Sequence, residues 1–248
     1  MKNVRLRCAA LVSLVVGSYC VVSCNFSSAA GATSPESTES GGQLLRAAIA
    51  SATREGSVRV TVHFFSGKVT GELVQDSSSQ RAKQTVAIGK ERVSIILSGG
   101  VAFFTANDSG LTSYFGLPQS VAANLVGHWI SVSPTDSGFQ SVTAGLTLAS
   151  ALKEVSPGGS ISKGRRKMVD GHPAISIAGT NAASGTQVLL FVSQTGKHLP
   201  IEAVESSHSG ETTSGEIVTF TRWSENFHVP TPSGSIPISS IGEPSGSG

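Results

Sequence analysis

Cysteine is missing from every position after residue 24; the three in the chain are Cys8, Cys20 and Cys24. A domain built from residue 25 onward therefore has neither a disulfide framework nor a cysteine-ligated metal. Charge is scarce too, at 14% of residues against the usual quarter. Setting aside Lys2, Arg5 and Arg7 at the N-terminus, the 18 basic residues fall to 15 against 16 acidic ones, a net charge of −1. That leaves no basic field to attract nucleic acid. The chain has no Gly-x-Ser-x-Gly elbow, no His-Glu-x-x-His and no Gly-x-x-x-x-Gly-Lys phosphate loop. The six histidines, His63, His128, His172, His198, His208 and His228, stand singly, so their spacing points to no metal site. No catalytic residue and no cofactor is expected.

What is present begins with Lys2, Arg5 and Arg7, followed by an apolar run from Ala9 to Val22. A basic head, an apolar middle and small residues before a cut make a secretory signal peptide over residues 1–23. The run is too short for a span of roughly 20 residues. Val21-Val22-Ser23-Cys24 resembles a bacterial lipobox, in which the cysteine is lipidated and becomes the new N-terminus. Acyl chains such as palmitate on Cys24 would hold the protein on the outer face of the cell membrane. Plain secretion, with Cys24 an incidental thiol, is the competing reading.

Residues 24–42, rich in Ser, Ala, Gly and Thr, bury too little apolar surface to fold and read as a tether. Leu44, Leu45, Ala48, Ile49 and Ala52 recur at helical spacing, which predicts a helix over 43–55 ended by Gly56. Val58, Val60, Val62 and Phe64 then alternate with polar residues, and similar alternation recurs over 69–74, 82–88, 93–97 and 101–106. Gly67, Gly89-Lys90 and Gly99-Gly100 punctuate these strands, so they form an antiparallel meander. Helical periodicity returns after Pro118 and over 139–155, where Gly145 interrupts it, with a short strand at 128–132 between. The last third is β again: 161–169 and 173–178 joined by Asp170-Gly171, then 187–193, 199–205 and 216–223. Beyond Val229, residues 230–248 are mostly Pro, Ser and Gly, and a disordered tail is expected. Residues 43–229 thus form one α+β domain with its helices on one face of an antiparallel sheet.

The lipobox, Gly127-His128-Trp129-Ile130-Ser131-Val132, Val169-Asp170-Gly171-His172-Pro173-Ala174 and the closing Ile217–Trp223 with Val229-Pro230 together resemble the LppX/LprG-type lipoproteins of actinobacteria, which share a fold with the carrier LolA. His128 stands where Lys is expected, and Phe103-Phe104 where Tyr is commoner. The resemblance implies a half-barrel, a sheet curved around helices on its concave face, enclosing an apolar cavity. It also implies a cell-envelope lipoprotein that binds acyl chains of lipids or glycolipids and carries or presents them. Some relatives of the fold instead sense envelope state and act through a protein partner, which is the alternative function.

Candidate cavity residues are Val60, Val62, Phe64, Val86, Ile88, Ile95, Leu97 and Phe103 on the sheet, facing Leu117, Val121, Leu125, Val142 and Leu146 on the helices. A packed core and a cavity wall have the same composition, so these residues alone leave both readings open. Arg165-Arg166-Lys167, the one basic run, reads as a solvated strand edge that discourages edge pairing, with contact to anionic headgroups as the sharper alternative.

Overall fold

A computed structural model describes residues 39–181, 185–209 and 212–241. The expected signal peptide and Cys24 lie outside these residues, as do most of the tether and the end of the tail.

Helix α1 (Gly41–Glu55) begins two residues before the expected start at 43 because Ser40 caps it. The Ser40 hydroxyl accepts from the Gln43 backbone N–H at 3.2 Å, and the Gln43 side chain accepts from the Ser40 N–H at 2.8 Å. This reciprocal pair satisfies two of the amide groups that a helix start leaves open. Gly56, in the left-handed region at φ 78°, ends the helix.

Five strands follow, β1 (Ser57–Ser66), β2 (Val69–Ser78), β3 (Ala82–Ile88), β4 (Glu91–Ser98) and β5 (Val101–Ala106), as the expected antiparallel meander. A single π-helical turn (Gly110–Tyr114), α2 (Gln119–Ala122), strand β6 (Ile130–Val132), α3 (Phe139–Thr143) and α4 (Leu148–Glu154) come next. The helical stretch over 139–155 is thus two short helices, broken where Gly145 takes φ 72°. The second meander is β7 (Gly158–Val169), β8 (His172–Thr180), β9 (Gln187–Ser193), β10 (Pro200–Ser209) and β11 (Thr212–Thr221). Asp170 and Gly171 both have positive φ, 48° and 78°, as the two-residue turn between β7 and β8 requires.

Pairing of β1 with β11 joins the two meanders into one twelve-stranded sheet, with Val60 opposite Phe220 and Val62 opposite Val218. The sheet is curved and unclosed. Its edges are β7 and the short β12 (Ile236–Pro237), which runs parallel to β6.

That last strand corrects the expected tail. Residues 230–241 return along the sheet, with the Ile236 N–H donating to the Trp129 carbonyl at 2.8 Å. Ile236, Ile238 and Ile241 pack against the core beneath β4 to β6. A composition dominated by Pro, Ser and Gly conceals three isoleucines spaced to reach one apolar surface.

Candidate ligand-binding site

Alternation along the strands sends one set of side chains to the concave side, where the helices lie, and they gather there in two clusters. In the first, α1 and α4 lay Leu44, Ala48 and Leu152 on Val60, Ile177, Leu190 and Phe220. In the second, Leu111 of the π-turn, Ala122, Val142 and Leu146 cover Val86, Ile95, Phe104 and Ile130. Phe104 stacks on Phe115 with ring centroids 4.0 Å apart.

The expected cavity residues divide between these clusters. Val60 belongs to the first, with Val62 at its margin. Val86, Ile95, Leu97, Leu125, Val142 and Leu146 belong to the second, with Ile88, Leu117 and Val121 at its margin. Phe103 does not join them. It points to the convex face and packs with Ile96, Trp129, Phe227 and Val229. The cause is register: Ile95 pairs with Phe104, and directly opposed residues share a face.

Between the clusters runs a polar seam that the sequence reading missed. Gln75 and Ser77 of β2 and Gln84 of β3 occupy inward positions and are buried. The Gln75 side-chain amide donates to the Ser77 hydroxyl at 2.6 Å and to the carbonyls of Gly145 at 2.9 Å and Leu146 at 3.3 Å. Ser77 donates to the Leu146 carbonyl at 2.8 Å, and Gln84 donates to the Gln75 carbonyl oxygen at 2.5 Å. The break between α3 and α4 frees those two carbonyls from helical bonding, and the seam satisfies them. Polar residues at inward positions of otherwise apolar strands were the available signal.

At one end of the seam the concave side meets solvent. Phe64 lies flat across Gly71, where even a β-carbon would come within 2.1 Å of its ring. Phe64 is opposite Glu216, and Glu216 is opposite Glu205. Glu154, at the end of α4, brings its carboxylate against Gly145, where a β-carbon would lie 2.8 Å from either oxygen. Burial pushes the Glu216 carboxyl up to about 7, with Glu205 and Glu154 adding repulsion. The Glu154 side chain reaches solvent, yet protein crowded around its carboxyl, and then Glu205, raise it above the ordinary range. Glu205 is held by hydrogen bonds from Asn181 at 2.8 Å and Thr186 at 2.9 Å. Asn181 also donates to the Glu154 carbonyl at 3.0 Å, tying α4 to this rim. On the concave side the apolar residues are packed beneath the helices, and the protonatable carboxyls at this rim can hydrogen-bond a polar group.

Two hollows lie elsewhere. One of about 290 Å³ opens at the opposite end of the strands among Asp76, Arg81, Ser224, Glu225 and Phe227. The other, a groove of about 540 Å³, crosses the convex face of β2 to β5 between Glu72, Arg92, Thr105 and Val126. Among the described residues, no three His, Asp or Glu side chains are grouped to hold a metal ion.

A curved, unclosed antiparallel sheet with a few helices on its concave face defines the class of half-barrel expected from the sequence. The chain shares this fold with LprF from Mycobacterium bovis, with a TM-score of 0.50 at 12% identity over 82% of this chain and all of that one. LppX, a lipoprotein of Mycobacterium tuberculosis, is similar at a TM-score of 0.47 and 18% identity, covering 75% of this chain and 98% of LppX. MucB of Pseudomonas aeruginosa, in its complex with MucA, gives 0.38 and 15%, covering 82% of this chain and 61% of that one. The likeness is one of fold. No protein-family model and no curated protein sequence matches the chain.

Proposed function

We propose that this chain is a cell-envelope lipoprotein, anchored through Cys24, that takes acyl chains of a lipid or glycolipid between its sheet and the helices on its concave face and carries or presents them. The observation that carries this reading is the construction of the helical cover over the second apolar cluster. It consists of a π-turn and helices of four and five residues, with no long helix over that cluster. Each piece is too short to be stable by its own backbone bonding and stays in place through the apolar surface it covers. Such a cover can part from the sheet piecewise and close again on an alkyl chain. Each methylene transferred beneath the cover contributes roughly 0.8 kcal/mol, so part of one chain suffices for firm binding without polar specificity.

Native mass spectrometry of the full chain carrying Cys24→Ser, recovered from an actinobacterial host, tests the reading. A bound lipid mass that disappears on organic extraction and returns on incubation with the extract is the expected result. Protein that emerges bare and takes up no lipid overturns it. Specific crosslinking of that bare protein to an envelope protein would establish the regulatory alternative instead. The anchor is tested separately, since Cys24→Ser should move the protein from the membrane fraction to the soluble one.

A further inference from the structure

The β7 edge of the sheet differs from the rest of the surface. Of its twelve residues only Val169 is buried, although the strand pairs with β8, with register shifts between Gly158 and Ser162 and between Lys163 and Arg166. Lys163, Arg165, Arg166 and Lys167 fall on it with no acidic residue between Gly158 and Val169. Ion pairs are formed elsewhere by Arg59 with Asp76, Lys197 with Glu55 and Arg222 with Glu225. No such ion pair is formed by Arg165 or Arg166 among the described residues. Lys167 stands 4.8 Å above the ring of Phe191. Met168, beside these cations, is 59% exposed, the most exposed of the large apolar side chains described.

The same edge receives the chain from the N-terminus. Gly41, the first residue of α1, packs so closely on β7 that a β-carbon there would lie 2.8 Å from the Lys163 nitrogen. The stretch between Cys24 and Ser40 can span at most about 55 Å when fully extended. With the anchor at Cys24 proposed above, on which this step rests, β7 is the edge nearest the point of attachment.

We propose that the β7 edge docks on the anionic lipid surface of the membrane that carries the anchor. Arg165 and Arg166 meet lipid phosphates, and Met168 enters the headgroup layer beside them. Four clustered cations on a protein with a net charge of −1 leave the remainder acidic. The field therefore attracts this edge to a negative surface and repels the others, which sets orientation as well as contact.

The exported domain has no cysteine of its own, so Met168→Cys can carry a polarity-sensitive fluorophore in the anchored full chain. The labelled protein is placed in phosphatidylcholine vesicles and in vesicles with phosphatidylglycerol added. The emission should shift to the blue and be quenched by brominated lipid only in the second. A label on Val126→Cys should stay unchanged in both. Neutralising Arg165 and Arg166 to Gln should lower the ratio of docked to undocked protein roughly fivefold per cation, and salt at about 0.5 M should do the same. Both arginines are exposed, so Arg165→Glu with Arg166→Glu should fold normally and abolish the shift. An anchored protein whose label reads the same on both vesicles, or whose shift survives charge reversal, overturns the proposal. So does a shift seen only when an acidic protein partner is added. Failure of the anchor itself would show differently, as protein absent from the vesicles.

Discussion

Glu216 occupies a poor place for a carboxylate, between Phe64 on β1 and Glu205 on β10. Its folded carboxyl, lifted from 4.5 to about 7, binds a proton more tightly than the unfolded one. The fold's advantage is therefore complete below about pH 4.5 and is lost as pH rises through 7. Glu154 shifts in the same direction and steepens the loss. The urea midpoint should fall between pH 5 and pH 8 by the equivalent of about 1–3 kcal/mol. In Glu216→Gln the profile should flatten, with a higher midpoint than wild type at pH 8. Equal wild-type stability at both pH values would refute the assignment. A neutral Glu216 is a hydrogen-bond donor and an ionised one only an acceptor, so the rim changes its chemistry near neutrality.

Among the elements, the break between α3 and α4 depends most on its surroundings. Gln75 contacts Ser77, Gln84 and the carbonyls of Gly145 and Leu146, the last also held by Ser77. Gln75→Ala should cost roughly 1–3 kcal/mol, because the partners left behind are buried without replacement. It should also speed hydrogen exchange of amides in 139–154 more than in α1, which the seam does not touch. Uniform acceleration across both would show that the seam does not fasten the cover. Gly145 marks this break in the sequence as a glycine inside a helical stripe. The role of Gln75 was less legible, because the alternation over 69–74 stops short of the inward polar residues Gln75 and Ser77. Phe103 shows a signal that was present and unused. With Gly99-Gly100 as a two-residue turn, Ser98 pairs with Val101 and Ile95 with Phe104. The turn length by itself therefore sends Phe104 inward and Phe103 out. Alternation fixes the two faces of a strand but not which faces the core; pairing decides that.

At the scale of the whole molecule, an unclosed sheet has two edges, and this chain treats them oppositely. At β7 it leaves a wet, cationic strand, a pattern that discourages pairing with another sheet. At the far end it folds its own terminus back, covering β6 with β12 and the second apolar cluster with three isoleucines. Strand order was legible from hairpin spacing up to β5 and from β7 onward, but the β1–β11 junction joins residues far apart in sequence and no local pattern announces it. Nor did composition announce the returning terminus, which is held by burial of a few side chains. Ending the chain at Val229 tests that cover. Loss of the partly buried Ile236, Ile238 and Ile241 should cost about 2–3 kcal/mol, while the first cluster, which they do not touch, keeps its slow hydrogen exchange. The uncovered β6 edge and apolar surface should also raise self-association, measured by light scattering after size exclusion. If the second cluster is where an acyl chain is held, the shortened protein should lose retained lipid while its β7 edge still docks on anionic vesicles. A truncated chain with unchanged stability and lipid content would mean that residues 230–241 rest on the sheet without closing it.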